Sequence, residues 1–326
     1  MRRAKVTAVG AYLPERRLTN ADLEKLVDTS NEWILERTGI RERRILGRGK
    51  GSAYMAIRAA EEALRKRGLP AEAIDLVIVA TVTPEYPFPA TANLVAHALG
   101  AHRAWGFDIE AACSSFLYAL SIAADSISSG RVERALVIGS DKMSSIIDYR
   151  DRATCVIFGD AAGAVLLEPT EEEVGVLDYL HRSDGSGCTY LHMKAGGSLL
   201  PPSVRTVRNR LHYVYQEGRQ VFKQAVVQMA AISEDLMKKH GLTADDIAFF
   251  VPHQANLRII EAAAQRLGLP REKVMINIDR YGNTTSATLP LCLYDYESQL
   301  KKGDNLILAT FGGGFTWGAL WLRWAY

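Results

Sequence analysis

The chain has 326 residues, with 48% hydrophobic content, 23% charged content and a net charge of +2. Such values belong to a soluble globular protein with ample core, and the length suits two units or one large one. The near-neutral balance excludes a global field for nucleic acid, and no run of about 20 apolar residues is available to span a membrane. The start, Met1-Arg-Arg-Ala-Lys-Val6, has no long apolar segment, so no secretory signal is expected. The four cysteines (Cys113, Cys155, Cys188, Cys292) form no C-x-x-C pair and are too few for a disulfide framework. Free thiols in a reducing cytoplasm are the expectation.

In chain order, the first local feature is a basic cluster, Arg37, Arg41, Arg43, Arg44, Arg48 and Lys50. It reads either as a solvated loop or as a landing site for phosphates or an acidic partner. A helix is predicted over 53–68, closing on a glycine with basic residues in its last turn, then a buried strand over 76–80. In the run Phe107-Asp-Ile-Glu-Ala-Ala-Cys113-Ser-Ser-Phe-Leu, an apolar stretch gives way to small residues, a thiol and a helical pattern. That places Cys113 where a strand meets a helix start. Unpaired N–H groups and the helix dipole there should make the thiol ionise more easily than a free one. A buried strand follows over 135–139, and the glycine-rich stretch 185–202 reads as a mobile surface loop near an entrance. A second helix is predicted over 217–241, then strands over 248–251 and 305–309.

The two halves repeat. Residues 67–79 align without a gap to residues 240–252, at the offset of 173 that separates Gly68 from Gly241, and further matches follow in the same order. This pattern implies two copies of one α/β unit, 1–170 and 171–326. At an offset of 170, Cys113 maps onto Asn283, which opens a second small-residue helix start. His253 follows the strand that corresponds to 76–80. Sites in open α/β sheets form beyond the carboxyl ends of strands, so Cys113, His253 and Asn283 are expected to converge. Taken singly, each has an ordinary explanation as a buried thiol, a loop histidine or a turn. Together they suit two chemistries: a thiol hydrolase in which His is the base for Cys, or acyl transfer through a thioester, with His and Asn donating to an enolate oxygen.

The runs Leu13-Pro-Glu15, Thr19-Asn-Ala-Asp-Leu-Glu24, Asp28-Thr-Ser-Asn-Glu-Trp-Ile34, Arg37-Thr-Gly-Ile-Arg-Glu-Arg43, Ala111-Ala-Cys113, Phe158-Gly-Asp160, Val251-Pro-His-Gln-Ala-Asn-Leu-Arg-Ile259, Gly282-Asn-Thr284 and Phe311-Gly-Gly-Gly-Phe-Thr-Trp-Gly318 stand in one order. From Val6 to the C-terminus the chain resembles the β-ketoacyl-[acyl-carrier-protein] synthases III of the thiolase superfamily. The resemblance implies a five-layered α-β-α-β-α thiolase-like fold with internal duplication, usually as a homodimer. It implies condensation of a short acyl-CoA with malonyl-acyl carrier protein to start type II fatty acid synthesis. No cofactor is implied, since the CoA thioester is a substrate, and neither nucleic acid nor membrane is a partner. Cys113 would be the nucleophile, His253 and Asn283 the donors to the malonyl thioester, and the N–H groups of Cys113 and Gly313 the oxyanion hole. CoA would meet Thr29, Trp33, Arg37, Arg152 and Asn256, with adenine between Trp33 and Arg152. Arg258 would dock the carrier protein. Phe222 and Phe88 would border the acyl pocket, Phe88 from across the dimer.

Two departures from the family pattern stand out. Ser114-Ser115 replaces Ala-Gly or Ser-Gly, with little effect expected, and Arg219 stands where relatives carry Asn beside the CoA path. Related readings are a polyketide or alkylquinolone type of condensing enzyme, a hydroxymethylglutaryl-CoA type with Glu110 as acid, and a non-catalytic scaffold. A papain-like hydrolase is a minor alternative, since the repeat does not suit it. The acyl chain length is not readable.

Overall fold

A computed structural model describes residues 2–326. Two sheets carry the fold. The first has five strands in the order Arg3–Tyr12, Asp160–Thr170, Ala135–Lys142, Leu76–Ala80 and Trp105–Ile109. The second has four, in the order Phe249–Pro252, Asn305–Gly312, Thr316–Arg323 and Gly175–Ser183. In both, a parallel pair near one edge (Leu76–Ala80 with Ala135–Lys142; Phe249–Pro252 with Asn305–Gly312) gives way to antiparallel pairing toward the other. The bridge between Phe250 and Val274 stands where the fifth strand of the first sheet would lie.

Helices Ser115–Ser128 and Thr288–Tyr296 lie between the sheets. The apolar faces of both sheets close on them in one core that includes Phe116, Leu120, Val137, Leu289, Leu308 and Trp324. Helices Ser52–Arg67 and Thr91–Leu99 cover the outside of the first sheet, and Gly218–Lys239 and Leu257–Arg266 the outside of the second. This is the five-layered, duplicated α/β architecture of the expectation. Strand Leu76–Ala80 is buried at every position because helices cover both its faces, which is why it reads as an unbroken apolar run. Among the described residues no helix is long and apolar enough to cross a membrane.

The structure corrects the register of the repeat. Before each central helix lies a one-turn 3-10 segment, Ala112–Ser114 in one half and Thr285–Ala287 in the other. Each begins on a residue with positive φ, Ala112 at 48° and Thr285 at 54°. These positions are 173 apart, so the counterpart of Cys113 is Ser286, and Asn283 corresponds to Glu110. A second pair confirms it. A Cβ on Gly139 would lie 2.3 Å from the Ser286 carbonyl oxygen, and one on Gly312 would lie 2.7 Å from the Cys113 nitrogen. In each half, a glycine of the neighbouring sheet lets the turn from the other half come close.

Two further expectations change. The stretch 185–202 is not merely a loop, since it contains strand Leu191–Met193, paired antiparallel with Val214–Gln216. The basic cluster is not a uniform solvated run either. Arg43 is fully buried, its guanidinium donating to the Val156 carbonyl and to Asn20 Oδ1 and its stem lying against Gly159 and Gly282.

Replacing Gly139 by Ala should cost about 1–3 kcal/mol in urea unfolding, because the clash is with backbone that cannot rotate away. Gly47→Ala, where nothing lies within 4 Å, should stay within about 0.5 kcal/mol of the parent.

Candidate active site

Cys113 sits in the 3-10 turn between strand Trp105–Ile109 and helix Ser115–Ser128. Hydroxyls staple the turn. Ser115 Oγ accepts from the Ala111 N–H at 2.7 Å and donates to the Ala112 carbonyl at 2.7 Å. Ser114 Oγ donates to the Thr316 carbonyl and accepts from Thr310 Oγ1, and Thr316 Oγ1 donates to the Ala111 carbonyl. The Ser114-Ser115 pair therefore does more than stay small: it ties the Cys113 turn to itself and to the opposite sheet.

The thiol is not easily ionised in this setting. Burial pushes it up to about 12, with a further upward push from the Asp141 charge, and the backbone N–H contribution does not offset them. The helix start is present as expected, but loss of water outweighs its dipole.

His253 follows strand Phe249–Pro252, its N–H donating to the Ala309 carbonyl at 2.8 Å. The imidazole is 2% exposed, and burial pushes it down to about 3, so it is neutral. Its Nδ1 lies 2.7 Å from Thr288 Oγ1, while Nε2 is buried with no partner among the described residues. Asn283 is held by backbone bonds to Ile157 and Gly159. Its Oδ1 accepts from the Thr285 N–H at 2.8 Å, which leaves Nδ2 as the free donor end of the amide. Gly282 before it has φ +66°, and a Cβ there would lie 2.7 Å from the Ile157 carbonyl oxygen, so only glycine delivers Asn283 to this place.

Cys113, His253 and Asn283 line one cavity of about 270 Å³, together with Trp33, Arg37, Phe222, Asn256 and Gly312. A second cavity, of about 480 Å³, shares Cys113, Phe158 and Leu191 with the first and is bordered by Glu110, Met143, Cys188, His192 and Gly313. The thiol stands where the two meet. Among the described residues no group of three or more His, Cys, Asp and Glu could hold a metal.

The peripheral residues divide. Asn256 caps helix Leu257–Arg266, accepting from the Arg258 N–H and donating to the Arg37 carbonyl, which leaves it one N–H and one lone pair for a ligand. Arg152 lies directly over Trp33, 4.7 Å from the ring centroid, and donates to the Asp28 carbonyl. A flat ring between them needs a separation of about 7 Å, so the pair is closed as it stands. Thr29 lies outside the cavity lining, its hydroxyl buried without a partner. Arg258 rests over Phe222 at 5.2 Å, at the margin of the cavity. Arg219 is exposed and does not line the cavity, where Gln216 and Gly218 stand instead. Phe88 is 85% exposed and borders neither cavity within this chain.

Sequence reasoning missed Thr288, the partner of His253, and Asp141, whose carboxylate anchors Ser286. Thr288 lay in the small-residue run after Asn283, but only the fold shows which of its hydroxyls faces the imidazole.

Two family models match, the 3-oxoacyl-[acyl-carrier-protein] synthase III model over residues 107–185 and its C-terminal counterpart over residues 237–324. A β-ketoacyl-[acyl-carrier-protein] synthase III of Porphyromonas gingivalis is 56% identical over 324 residues, covering 99% of this chain and 97% of that protein. The crystal structure of the 3-oxoacyl-[acyl-carrier-protein] synthase III of Aquifex aeolicus is 44% identical, with a TM-score of 0.91 over 98% of this chain and all of that one. A priming β-ketosynthase from a polyketide pathway is 35% identical, with a TM-score of 0.92 over 99% of this chain and 96% of that one. With a buried thiol, a neutral imidazole and an amide donor around one cavity, and with these likenesses over its whole length, the chain belongs to the β-ketoacyl-[acyl-carrier-protein] synthase III family.

Proposed function

We propose that this condensing acyltransferase joins a short acyl-CoA to malonyl-acyl carrier protein, with Cys113 as nucleophile and His253 and Asn283 as donors. The observation that carries this reading is the pairing of an unpartnered His253 Nε2 with the free Nδ2 end of Asn283 on the cavity that Cys113 lines. In the first half-reaction the Cys113 sulfur forms a thioester with the primer acyl group. The acyl–sulfur bond of the donor breaks, and the thiol proton leaves with CoA. In the second, the carbon–carbon bond to the malonyl carboxylate breaks and CO2 departs. The electron pair moves onto the thioester oxygen as an enolate, which His253 and Asn283 stabilise by hydrogen bonds. The enolate carbon attacks the acyl-cysteine, and the Cys113 sulfur leaves and takes up a proton. Two uncharged donors suit this task, since they favour the charge that develops without favouring the malonyl carboxylate that must be lost.

The first cavity would take the pantetheine arm past Arg37 and Asn256, and adenine would part Arg152 from Trp33. The N–H groups of Cys113 and Gly313 would receive the acyl oxygen. Thr29 would act behind the nucleotide end rather than on it. The second cavity would hold the primer acyl chain, with Phe222 on the opposite, entrance side of the thiol. Arg258 would meet the acidic carrier protein. A homodimer is supported by strand Trp105–Ile109, a sheet edge with Trp105 56% exposed, and by the projecting Phe88. From there Phe88 would reach the second cavity of a partner. The likeness to the polyketide-priming ketosynthase favours a second reading with the same acyl-cysteine and another carrier protein. Assays with malonyl-acyl carrier protein against malonyl-CoA and other malonyl carriers would separate the two.

On incubation with acetyl-CoA, the protein should gain the mass of one acetyl group, and Cys113→Ser should gain none. A Cys113→Ser variant that condensed at the parental rate would remove the nucleophile assignment. His253→Ala and Asn283→Ala should each acylate normally but condense about 10²–10³-fold more slowly in single-turnover assays. Because burial holds the free thiol up at about 12, its alkylation by iodoacetamide should climb with each pH unit from 7 to 10 without a plateau. A plateau near pH 7 would show an ionised resting thiolate.

A further inference from the structure

The role given to His253 depends on which ring nitrogen carries its one proton. With the proton on Nε2, the imidazole donates into the cavity. With the proton on Nδ1, Nε2 offers only a lone pair, and His253 becomes a base for Cys113. Among the described residues His253 has one side-chain partner, Thr288 Oγ1, at 2.7 Å. Thr288 is 1% exposed and is the first residue of the central helix Thr288–Tyr296. Its hydroxyl has a single proton and two acceptors in reach, His253 Nδ1 at 2.7 Å and the Thr285 carbonyl at 3.1 Å.

The two contacts of the hydroxyl differ in length. O–H donors form bonds centred near about 2.7–2.8 Å, and N–H donors bonds centred near about 2.9–3.0 Å within a broader range. The single hydroxyl proton is best placed on the shorter contact, the 2.7 Å one to Nδ1, rather than on the 3.1 Å one to the Thr285 carbonyl. We infer that Thr288 is a positioning residue. It donates to Nδ1 and so keeps the His253 proton on Nε2, which makes His253 a hydrogen-bond donor to the substrate oxygen. The β-branched side chain is stiff about χ1, so the helix start holds the hydroxyl at this angle. The inference rests on the condensing reading of the site and adds what sets its polarity.

Long-range ¹H–¹⁵N correlation spectra of the full-length, ¹⁵N-labelled, perdeuterated protein read the tautomer directly, with the His253 signals assigned by their loss in His253→Gln. The expected spectrum has a protonated Nε2 and an Nδ1 shifted by accepting a hydrogen bond. In Thr288→Val, which keeps shape and removes the hydroxyl, that Nδ1 shift should vanish. Condensation should fall about 10–100-fold in kcat, the size of effect seen when a residue that orients a metal-binding histidine is lost, with the KM for malonyl-acyl carrier protein unchanged. Acylation of Cys113 should stay within about twofold, which also shows that the variant folds. Thr288→Ser should restore both the Nδ1 shift and the rate. A parental spectrum with the proton on Nδ1, or a Thr288→Val variant that condenses at the parental rate, overturns the inference. If Thr288→Val does not fold, the parental spectrum alone decides. If the proton sits on Nε2 yet no condensation occurs with any malonyl thioester, the functional reading fails and the tautomer assignment stands.

Discussion

The structure hangs on one buried carboxylate. Asp141 lies one residue before the end of strand Ala135–Lys142 with no exposure, and all its partners donate. Its Oδ1 accepts from the N–H groups of Val82 and Thr83 and from the hydroxyls of Thr81 and Thr83. Its Oδ2 accepts from the N–H and the hydroxyl of Ser286, in the other half. Burial raises its pKa, but a shell made only of donors suits the acceptor-only, ionised form. The cost of burying this charge is offset only while all of these bonds persist, so the carboxylate sets where the Thr285–Ala287 turn can lie. Asn283 and Thr288 flank that turn. The Asn283 amide and the Thr288 hydroxyl are thus placed by a residue from the opposite half of the chain.

The same burial governs the electrostatics of the cavity. Loss of water pushes the thiol up and the imidazole down, so both stay neutral near pH 7. With both of these groups uncharged, the Cys113 thiol keeps its proton at rest. His253 and Asn283 then face the cavity as neutral groups rather than as charges. This differs from a thiolate–imidazolium pair, in which each charge stabilises the other, and it is the physical ground for preferring acyl transfer over hydrolase chemistry here.

Much of the fold was readable because its causes are local or periodic. Strands such as Leu76–Ala80 are apolar throughout since both faces are covered, and helix Ser52–Arg67 ends on Gly68 in the left-handed conformation. The gapless match of residues 67–79 to 240–252 revealed the duplication, because corresponding segments fill the same place in each sheet. The counterpart of Cys113 was misplaced by three residues. The signal that fixes it, a positive φ at Ala112 and at Thr285, falls on residue types that seldom adopt it, so the letters do not announce it. Strand Leu191–Met193 was hidden in a glycine-rich stretch, since its pairing partner, Val214–Gln216, lies beyond an intervening helix.

By itself, the sequence determined the fold class, the duplication and the three polar residues at strand ends, because apolar periodicity and motif order are written along the chain. Only the tertiary structure decided the state of those residues. The protonation of Cys113, the neutrality of His253 and the placement of Asn283 against Ile157 and Gly159 depend on water exclusion and on partners far away in the chain. So do the contacts of Asp141 with Ser286 and of Gly312 with Cys113, which exist only once the two halves have packed.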